Sequence, residues 1–176
     1  MMLVGGSPGR IYSEADASSG IAPAQGERLS VKDPGNGGVK EYVFCKVAAS
    51  QNLICGHIVT ISGDFVVTVA AVAVANGAAN QLGVAITPTT SGTASASTLI
   101  WVQVFGRTLV RASLSALPNI ALKIGSVAGN VDDDAAASAS AAIHGIVLTA
   151  TSNLAAELCA AILTYPRYGQ TFDTVD

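Results

Sequence analysis

Short runs in which apolar and polar residues alternate, separated by turn-forming residues, recur along most of this chain. The clearest run is 98–105, and both of its faces are largely apolar. One face carries Leu99, Trp101, Gln103 and Phe105, and the other carries Ile100, Val102 and Val104. Two apolar faces are typical of a central strand, because such a strand is covered from both sides.

Further strands are predicted on either side of this run. The segments with alternating or β-branched character are 27–33, 40–47, 58–62, 65–74, 82–87, 107–112, 121–127, 143–149 and 158–165. Pro34 to Gly38 and Gly63-Asp64 are turn signals, and Gly106 is expected to interrupt the chain after 98–105. Many short strands separated by turns predict an all-β fold, which could be a small β barrel, a β-tulip or a sandwich.

The N-terminal residues have little apolar periodicity and much Gly, Ser, Ala and Pro. They are expected to form an extended arm rather than a packed element, with Arg10, Ile11 and Tyr12 as its strongest anchor candidates. The predicted organisation is an extended N-terminal arm at 1–26, a single β domain at 27–168 and a polar C-terminal tail at 169–176.

Two alanine-rich stretches, 135–142 and 153–161, leave helix open as an alternative to strand. Alanine has the highest helix propensity of all residues. Ser152 or Asn153 could also serve as the N-cap of a helix in the second stretch. Elsewhere the chain shows no sustained helical periodicity.

Charged residues are scarce throughout the chain. They make up 12% of the 176 residues, against about 25% in an average soluble domain. Charged side chains are depleted at the centres of protein interfaces, so this scarcity favours a subunit that works inside an assembly. A monomer with a surface of Ser, Thr and Ala remains the alternative.

Two classes of partner are not expected. A net charge of −3 with nine Lys and Arg residues excludes a basic nucleic-acid-binding protein. The most apolar window, 65–75, is shorter than the roughly 18 residues that a membrane-spanning helix needs. The N-terminus has no basic segment followed by an apolar run, so no secretory signal is predicted.

Residues with catalytic chemistry form no recognised motif. His57 and His144 each lie beside a glycine and are expected at strand ends on the surface. Cys55 and His57 are predicted to share a strand face, but a catalytic Cys/His pair would need a third, orienting group. The sequence also contains no glycine-rich nucleotide-binding motif. The sequence therefore predicts no enzyme, no catalytic residue and no cofactor.

The remaining reactive side chains also have ordinary structural interpretations. Asp132-Asp133-Asp134 lacks the spacing of a calcium loop, so a solvated turn is favoured over a cation site and no metal is expected. Cys45, Cys55 and Cys159 are expected to be reduced thiols that act as small core residues. A Cys45–Cys159 disulfide stays open as an alternative.

The order of several short motifs resembles a family of small Ala/Gly/Thr-rich β proteins that tailed bacteriophages encode near the major capsid gene. The resemblance covers roughly residues 27–112. The motifs are Glu41-Tyr42-Val43-Phe44, Ala49-Ser50, Gly56-His57-Ile58-Val59, Leu82-Gly83-Val84-Ala85, Ser91-Gly92 and Trp101-Val102-Gln103-Val104-Phe105-Gly106. The chain departs from the family in its longer loop at 89–97 and in the long arm before Glu27.

In that family the protein decorates the capsid shell, and its fold is a small β barrel or β-tulip that is often trimeric. The resemblance therefore implies a capsid decoration (cement) protein, made in the host cytoplasm, that binds the major capsid protein on the virion surface and forms a homotrimer. Another phage structural subunit, from the neck, the tail or a head-fibre base, is the first alternative. A secreted carbohydrate-binding β domain is the second.

Seven residues are candidates for the interface of such a subunit: Arg10, Ile11, Tyr12, Trp101, Tyr165, Arg167 and Tyr168. Tyr, Trp and Arg are the residue types enriched where binding energy concentrates. Ordinary core packing is the favoured alternative for Trp101. For the three C-terminal residues, a strand-end turn and an interface anchor are equally open.

Overall fold

The computed structural model describes residues 7–33, 35, 38–71, 81–89, 98–133, 142–155 and 157–169. These residues form eleven strands and one short helix, so the all-β prediction is confirmed. The elements are β1 (Tyr12–Ser13), α1 (Glu14–Ser18), β2 (Arg28–Lys32), β3 (Val39–Val47), β4 (Ile58–Ile61), β5 (Val66–Val69), β6 (Gln81–Ala85), β7 (Thr98–Ala112), β8 (Leu122–Ile124), β9 (Val131–Asp133), β10 (Ala142–Leu148) and β11 (Glu157–Tyr168).

Strand β7 is longer than predicted, because Gly106 bends the strand without ending it. Gly106 has a φ of 90°, in the left-handed region that favours glycine. A Cβ atom at this position would lie 2.3 Å from the carbonyl oxygen of Val39. The expectation of two strands at 98–105 and 107–112 is therefore wrong, and one 15-residue strand runs through both segments.

Five strands close into a small barrel, called here the first barrel. β3 pairs in parallel with β5, and β4 pairs antiparallel with both β5 and β6. β6 and β3 each pair antiparallel with β7, which completes the ring. Its interior is filled by Val43, Cys45, Val47, Leu53, Val59, Ile61, Val67, Ala85, Ile100, Val102 and Val104.

The second half of β7 begins another ring of five strands, the second barrel. β7 pairs in parallel with β9, and β8 pairs antiparallel with both β9 and β10. β11 pairs antiparallel with β10 and with β7. The residues from this ring in its core are Val110, Ala112, Leu122, Ile124, Val131, Ile143, Ile146, Leu148, Cys159, Ala161, Leu163 and Tyr168. Ile58, Leu82 and Val84 of the first barrel join the same cluster, so the two barrels share packing.

The two barrels have the same topology, with β7 as the last strand of the first and the first strand of the second. In each, the first strand pairs in parallel with the third, and the fifth closes the ring against the first and the fourth. The backbone after the first strand makes the same hydrogen bond in both barrels. The Ala48 N–H donates to Val67 O, and the Ser113 N–H donates to Val131 O. Ser50 and Ser115, each three residues beyond the parallel pairing, have φ values of 63° and 66°.

The described part of the predicted N-terminal arm is packed rather than extended. Tyr12 in β1 pairs with Leu99 of β7 and is 4% exposed. The helix α1 follows, with a capping box in which Ser13 and Asp16 satisfy each other's backbone N–H groups. The expectation of an arm without packed elements is therefore wrong for residues 7–26. Tyr12 packs against Phe44 and pairs with Leu99, which lie far away in sequence.

Three other local expectations differ from the structure. Residues 157–161 form a strand rather than the alternative helix, because alternate side chains of β11 enter the core of the second barrel. The strand expected at 121–127 spans only Leu122–Ile124. The one expected at 65–74 spans Val66–Val69, and residues 72–74 lie outside the described residues. Asp132 and Asp133 lie in β9 rather than in a turn. Asp134 and residues 135–141 of the helix candidate at 135–142 lie outside the described residues, and Ala142 begins β10.

Candidate interaction surface

Two of the predicted interface residues, Tyr12 and Trp101, are buried. Tyr12, Phe44 and Trp101 form an aromatic cluster on the outer side of the first barrel, with ring centroids 5.3 and 5.0 Å apart. Trp101 is 1% exposed. Tyr12 and Trp101 therefore stabilise the fold by joining the N-terminal segment to the barrel. In this conformation neither side chain offers a surface to a partner.

The other two arm residues are exposed. Ile11 is 44% exposed. The Arg10 guanidinium lies over the Tyr12 ring, 4.7 Å from its centroid, and its Nη2 atom is 3.9 Å from Asp16. Arg10 thus covers the edge of the aromatic cluster with a charged group while remaining accessible to solvent.

Tyr165 is held outward by an irregularity in β11. The register against β10 shifts between His144 and Ile146, and Tyr165 adopts a φ of 52°, which is strained for a residue with a side chain. Its ring stacks 5.2 Å from Phe105, and its hydroxyl donates a hydrogen bond of 2.8 Å to Glu41. This hydrogen bond raises the pKa of Tyr165 above its ordinary value. The residue remains 44% exposed.

The last two predicted interface residues face opposite ways. Arg167 is exposed and lies opposite His144 of β10, which is also exposed. Tyr168 is 4% exposed, and its hydroxyl donates to Ala71 O at 3.3 Å. Burial raises the pKa of Tyr168 to about 12. The structure therefore leaves Arg10, Ile11, Tyr165 and Arg167 accessible and places Tyr12, Trp101 and Tyr168 in the interior.

One accessible apolar feature of the second barrel was not predicted. It is formed by the outward side chains of β7, β10 and β11, and we call it the open face. Leu109 lies opposite Ala160, and Val147 lies opposite Ile162. Its larger members are 37–49% exposed: Leu109, Val147, Leu158 and Ile162. The signal was present in 158–163, where both alternating faces are apolar.

A cleft of about 450 Å³ joins this face to the first barrel. Leu109 and Ala160 belong to both features, so the two surfaces are continuous. Gln103 fixes the bend in β7 beneath the cleft, because its Nε2 group donates to Phe105 O and Arg107 O at 3.0 and 2.9 Å. Further lining residues are Lys40, Tyr42, Cys55, Ala85, Ile86, Arg107 and Thr108.

His57 differs from its predicted surface position. It is 9% exposed, and its Nδ1 atom accepts a hydrogen bond from the Ile54 N–H. Burial, assisted by the nearby Arg111, lowers the pKa of His57. Cys55 and Gly56 form a turn, so Cys55 and His57 do not share a strand face as predicted. Their environment is that of a packed loop between the two barrels.

The thiols of Cys45 and Cys159 and the carboxylates of Asp132 and Asp133 belong to packed strands of the two barrels. Cys45 and Cys159 are buried and free, as predicted, and the Cys45–Cys159 disulfide that was left open is not formed. Burial raises the pKa of Cys45 to about 12. Burial and the neighbouring Asp133 raise the pKa of Asp132. Within the described ranges, no three or more His, Cys, Asp and Glu side chains are grouped to hold a metal ion.

Comparisons with protein families and with curated proteins assign no relative to this chain. No protein-family model matches the chain, and no curated protein matches it significantly. In the part of the chain that the structure describes, no helix is long and apolar enough to cross a membrane. The open face and its cleft are therefore the features from which a function can be argued.

Proposed function

We propose that this chain is a structural subunit of a bacteriophage virion that binds the outside of the capsid and bridges neighbouring capsid subunits. The proposal rests first on the resemblance stated above. The motif residues at 41–44 lie on β3, those at 82–85 on β6 and those at 101–106 on β7. All three strands belong to the first barrel, and a small β barrel is the fold that the resemblance implies.

The open face is the observation that carries the proposal. Large aliphatic side chains stand side by side on three paired strands, and each is more than one third exposed. Contiguous apolar patches on a soluble protein mark places where it contacts another macromolecule. With 12% charged residues, the chain has few ionic side chains for attachment, which favours contact through apolar surface.

Such a subunit would stabilise a shell by mass action. It binds the assembled lattice and has no equivalent site on separated subunits, so its binding free energy favours the assembled state. A rigid barrel loses little conformational entropy on docking. An attachment made mainly by aliphatic side chains also depends only weakly on salt. Many copies on one shell would multiply a modest energy for each site.

Sedimentation with undecorated shells tests the proposal. Purified protein is mixed with shells of the encoding phage that were assembled without it, and the shells are pelleted at low and high salt. We expect saturable co-sedimentation and a higher melting temperature of the shells. Protein that stays in the supernatant, or that pellets with isolated tails or necks instead, would contradict the capsid role.

Self-association as a homotrimer belongs to the same proposal, because the resemblance implies it. Size-exclusion chromatography with light scattering measures the mass of the free protein. We expect three times the chain mass of 17.6 kDa for a trimer. A single-chain mass at all concentrations would restrict trimer formation to the shell or exclude it.

A further inference from the structure

A bulge in β11 determines the direction in which Tyr165 points. Three residues of β11, 164–166, lie between the paired positions on either side of a single residue of β10, Gly145. A Cβ atom at Gly145 would lie 2.8 Å from Thr164 O, so a side chain there would clash with the bulge. Bulges turn a side chain to a direction that a regular strand does not allow. Thr164 and Tyr165 are accordingly both exposed, although successive residues of a regular strand face opposite sides.

Tyr165 is strained and yet fixed in position. Its φ of 52° costs free energy for a residue with a side chain, and such strain is concentrated at sites of function. The ring stacks 5.2 Å from that of Phe105, and the hydroxyl donates to Glu41 at 2.8 Å. The strands that carry Phe105 and Glu41, β7 and β3, pair with each other in the first barrel. An exposed side chain that is already immobile loses little entropy when a partner covers it.

Two arginines lie on either side of this tyrosine. Arg28 in β2 and Arg167 in β11 are both exposed. The hydrogen bond to Glu41 raises the pKa of Tyr165, and the positive charge of Arg28 opposes that shift, which places Arg28 near the hydroxyl. Arg167 follows Tyr165 by two residues. In the part of the chain that the structure describes, neither guanidinium forms a salt bridge or a hydrogen bond with another residue.

We propose that Tyr165, Arg28 and Arg167 form a docking site, called here the Tyr165 anchor, for an acidic segment of a capsid subunit. An apolar side chain of the segment covers the exposed side of the Tyr165 ring, and carboxylates of the segment pair with the two guanidiniums. Tyr and Arg are residue types in which the binding energy of interfaces concentrates. Two positive charges without partners favour a negatively charged occupant. The choice of a capsid subunit as the occupant rests on the proposed function.

The Tyr165 anchor continues the open face along β11. Ile162 belongs to the open face, and it precedes Tyr165 by three residues on the same strand. The exposed Thr164 lies opposite Phe105, on which the Tyr165 ring rests. A partner that lies along β11 would therefore contact aliphatic side chains first and the Tyr165 anchor beyond them. The aliphatic contacts supply affinity, while the arginines select an acidic partner and fix its orientation.

A photo-reactive phenylalanine analogue in place of Thr164 tests which molecule lies at the Tyr165 anchor, because this substitution leaves all three anchor residues intact. The full chain is bound to undecorated shells and irradiated, and cross-linked peptides are identified by mass spectrometry. The same analogue in place of Val127, which is 57% exposed in the turn between β8 and β9, is the control. We expect position 164 to cross-link to a capsid-subunit segment with a carboxylate within a few residues, and position 127 to give much less of that product.

Substitution of the tyrosine measures its share of the affinity. Tyr165→Asn removes the ring and introduces a residue that tolerates the left-handed backbone better than most. We expect shell affinity to fall about tenfold or more. Val127→Asn changes an exposed apolar residue elsewhere and should bind like the unmodified protein. Circular dichroism checks that both variants remain folded.

Substitution of the arginines tests the charge of the partner. Arg28→Gln with Arg167→Gln should lower shell affinity about fivefold at low salt. The difference from the unmodified protein should shrink at high salt, because salt screens exposed ion pairs. Lys32→Gln removes an exposed charge from the same strand as Arg28 and is the control, with an expected affinity equal to that of the unmodified protein.

The outcomes separate the two proposals. Unmodified protein that fails to pellet with shells would overturn the proposed function, and the capsid subunit as partner with it. Shell binding that is unchanged in Tyr165→Asn, or that gives no cross-link at position 164, would overturn only the Tyr165 anchor. Unchanged affinity of the double arginine variant at low salt would overturn the acidic character of the partner. A cross-link from position 164 to a second copy of the chain would overturn the capsid subunit as occupant.

Discussion

Gly106 shows how a single residue decides the architecture. It lies at the point where β7 passes from the first barrel to the second, and Val39 O approaches it too closely for any side chain. Its left-handed φ adds a second penalty for other residues. The shared strand therefore depends on the absence of a Cβ atom at this position.

Replacement of Gly106 by alanine tests this dependence. We expect Gly106→Ala to lower the free energy of unfolding by about 3 kcal/mol, from backbone strain and the clash with Val39. Gly63→Ala is the matched control, because a Cβ atom at Gly63 would have nothing within 4 Å. Urea unfolding of both variants measures the difference, and equal stabilities would refute the explanation.

Tyr168 gives stability a defined pH dependence. Burial raises its pKa to about 12 in the folded state, whereas an unfolded tyrosine ionises near pH 10. The neutral phenol is therefore favoured by folding, and this contribution is complete below pH 10 and lost as the pH rises towards 12. Urea unfolding between pH 8 and pH 11 should show a smaller loss of stability in Tyr168→Phe than in the unmodified protein. Parallel curves for the two proteins would exclude Tyr168 as a source of the effect.

At the scale of elements, the N-terminal segment is held by the buried ring of Tyr12 and by the pairing of β1 with β7. Tyr12 contacts Phe44, which in turn contacts Trp101, while the adjacent Ile11 is turned to solvent. The short helix α1 adds a capping box and the Glu14–Lys46 salt bridge, both of which are exposed. Exposed polar contacts contribute little, so most of the attachment comes from Tyr12.

Tyr12→Ala should therefore detach the segment and uncover Trp101. We expect a loss of about 3 kcal/mol in the free energy of unfolding, because a buried aromatic side chain is removed. Trp101 is the one tryptophan of the chain, so its fluorescence emission should shift to longer wavelength. Ile11→Ala is the neighbouring control and should leave stability and emission nearly unchanged. An unshifted Trp101 spectrum in Tyr12→Ala would contradict this role.

The sequence predicted the positions of the strands more reliably than the pairings between them. Alternation is a local property, so β3, β4, β10 and β11 fall close to their predicted positions. Closure of the rings depends on pairings between distant segments, such as Val47 with Val67 and Ala112 with Val131, which no local pattern encodes. Tyr12 was predicted as an interface residue because the surface that it covers lies far away in sequence, whereas the core packing favoured for Trp101 is confirmed. The open face was missed for the same reason, since the exposure of Leu109 depends on which element covers β7.

At the scale of the whole molecule, the shared strand should make the two barrels unfold together. Ile58 and Val84 of the first barrel belong to the same buried cluster as Leu163 of the second. Loss of either barrel would expose one half of β7 and part of that cluster. Small domains with one continuous core usually unfold in a single transition.

Leu163→Ala tests this coupling, because Leu163 is fully buried in the second barrel and Trp101 reports on the first. We expect a loss of about 3 kcal/mol in the free energy of unfolding. Trp101 fluorescence and circular dichroism should both show it, with coincident transitions. A Trp101 transition that stays at its original urea concentration would mean that the barrels unfold independently.

The central claim is that this chain works by attaching its second barrel to a shell. An electron cryo-microscopy map of shells incubated with saturating protein tests it most directly. The account predicts density for two fused barrels on the outer surface, with the outward side chains of β7, β10 and β11 turned towards capsid subunits. Bare shells at saturating protein, or barrels attached by another side, would contradict it.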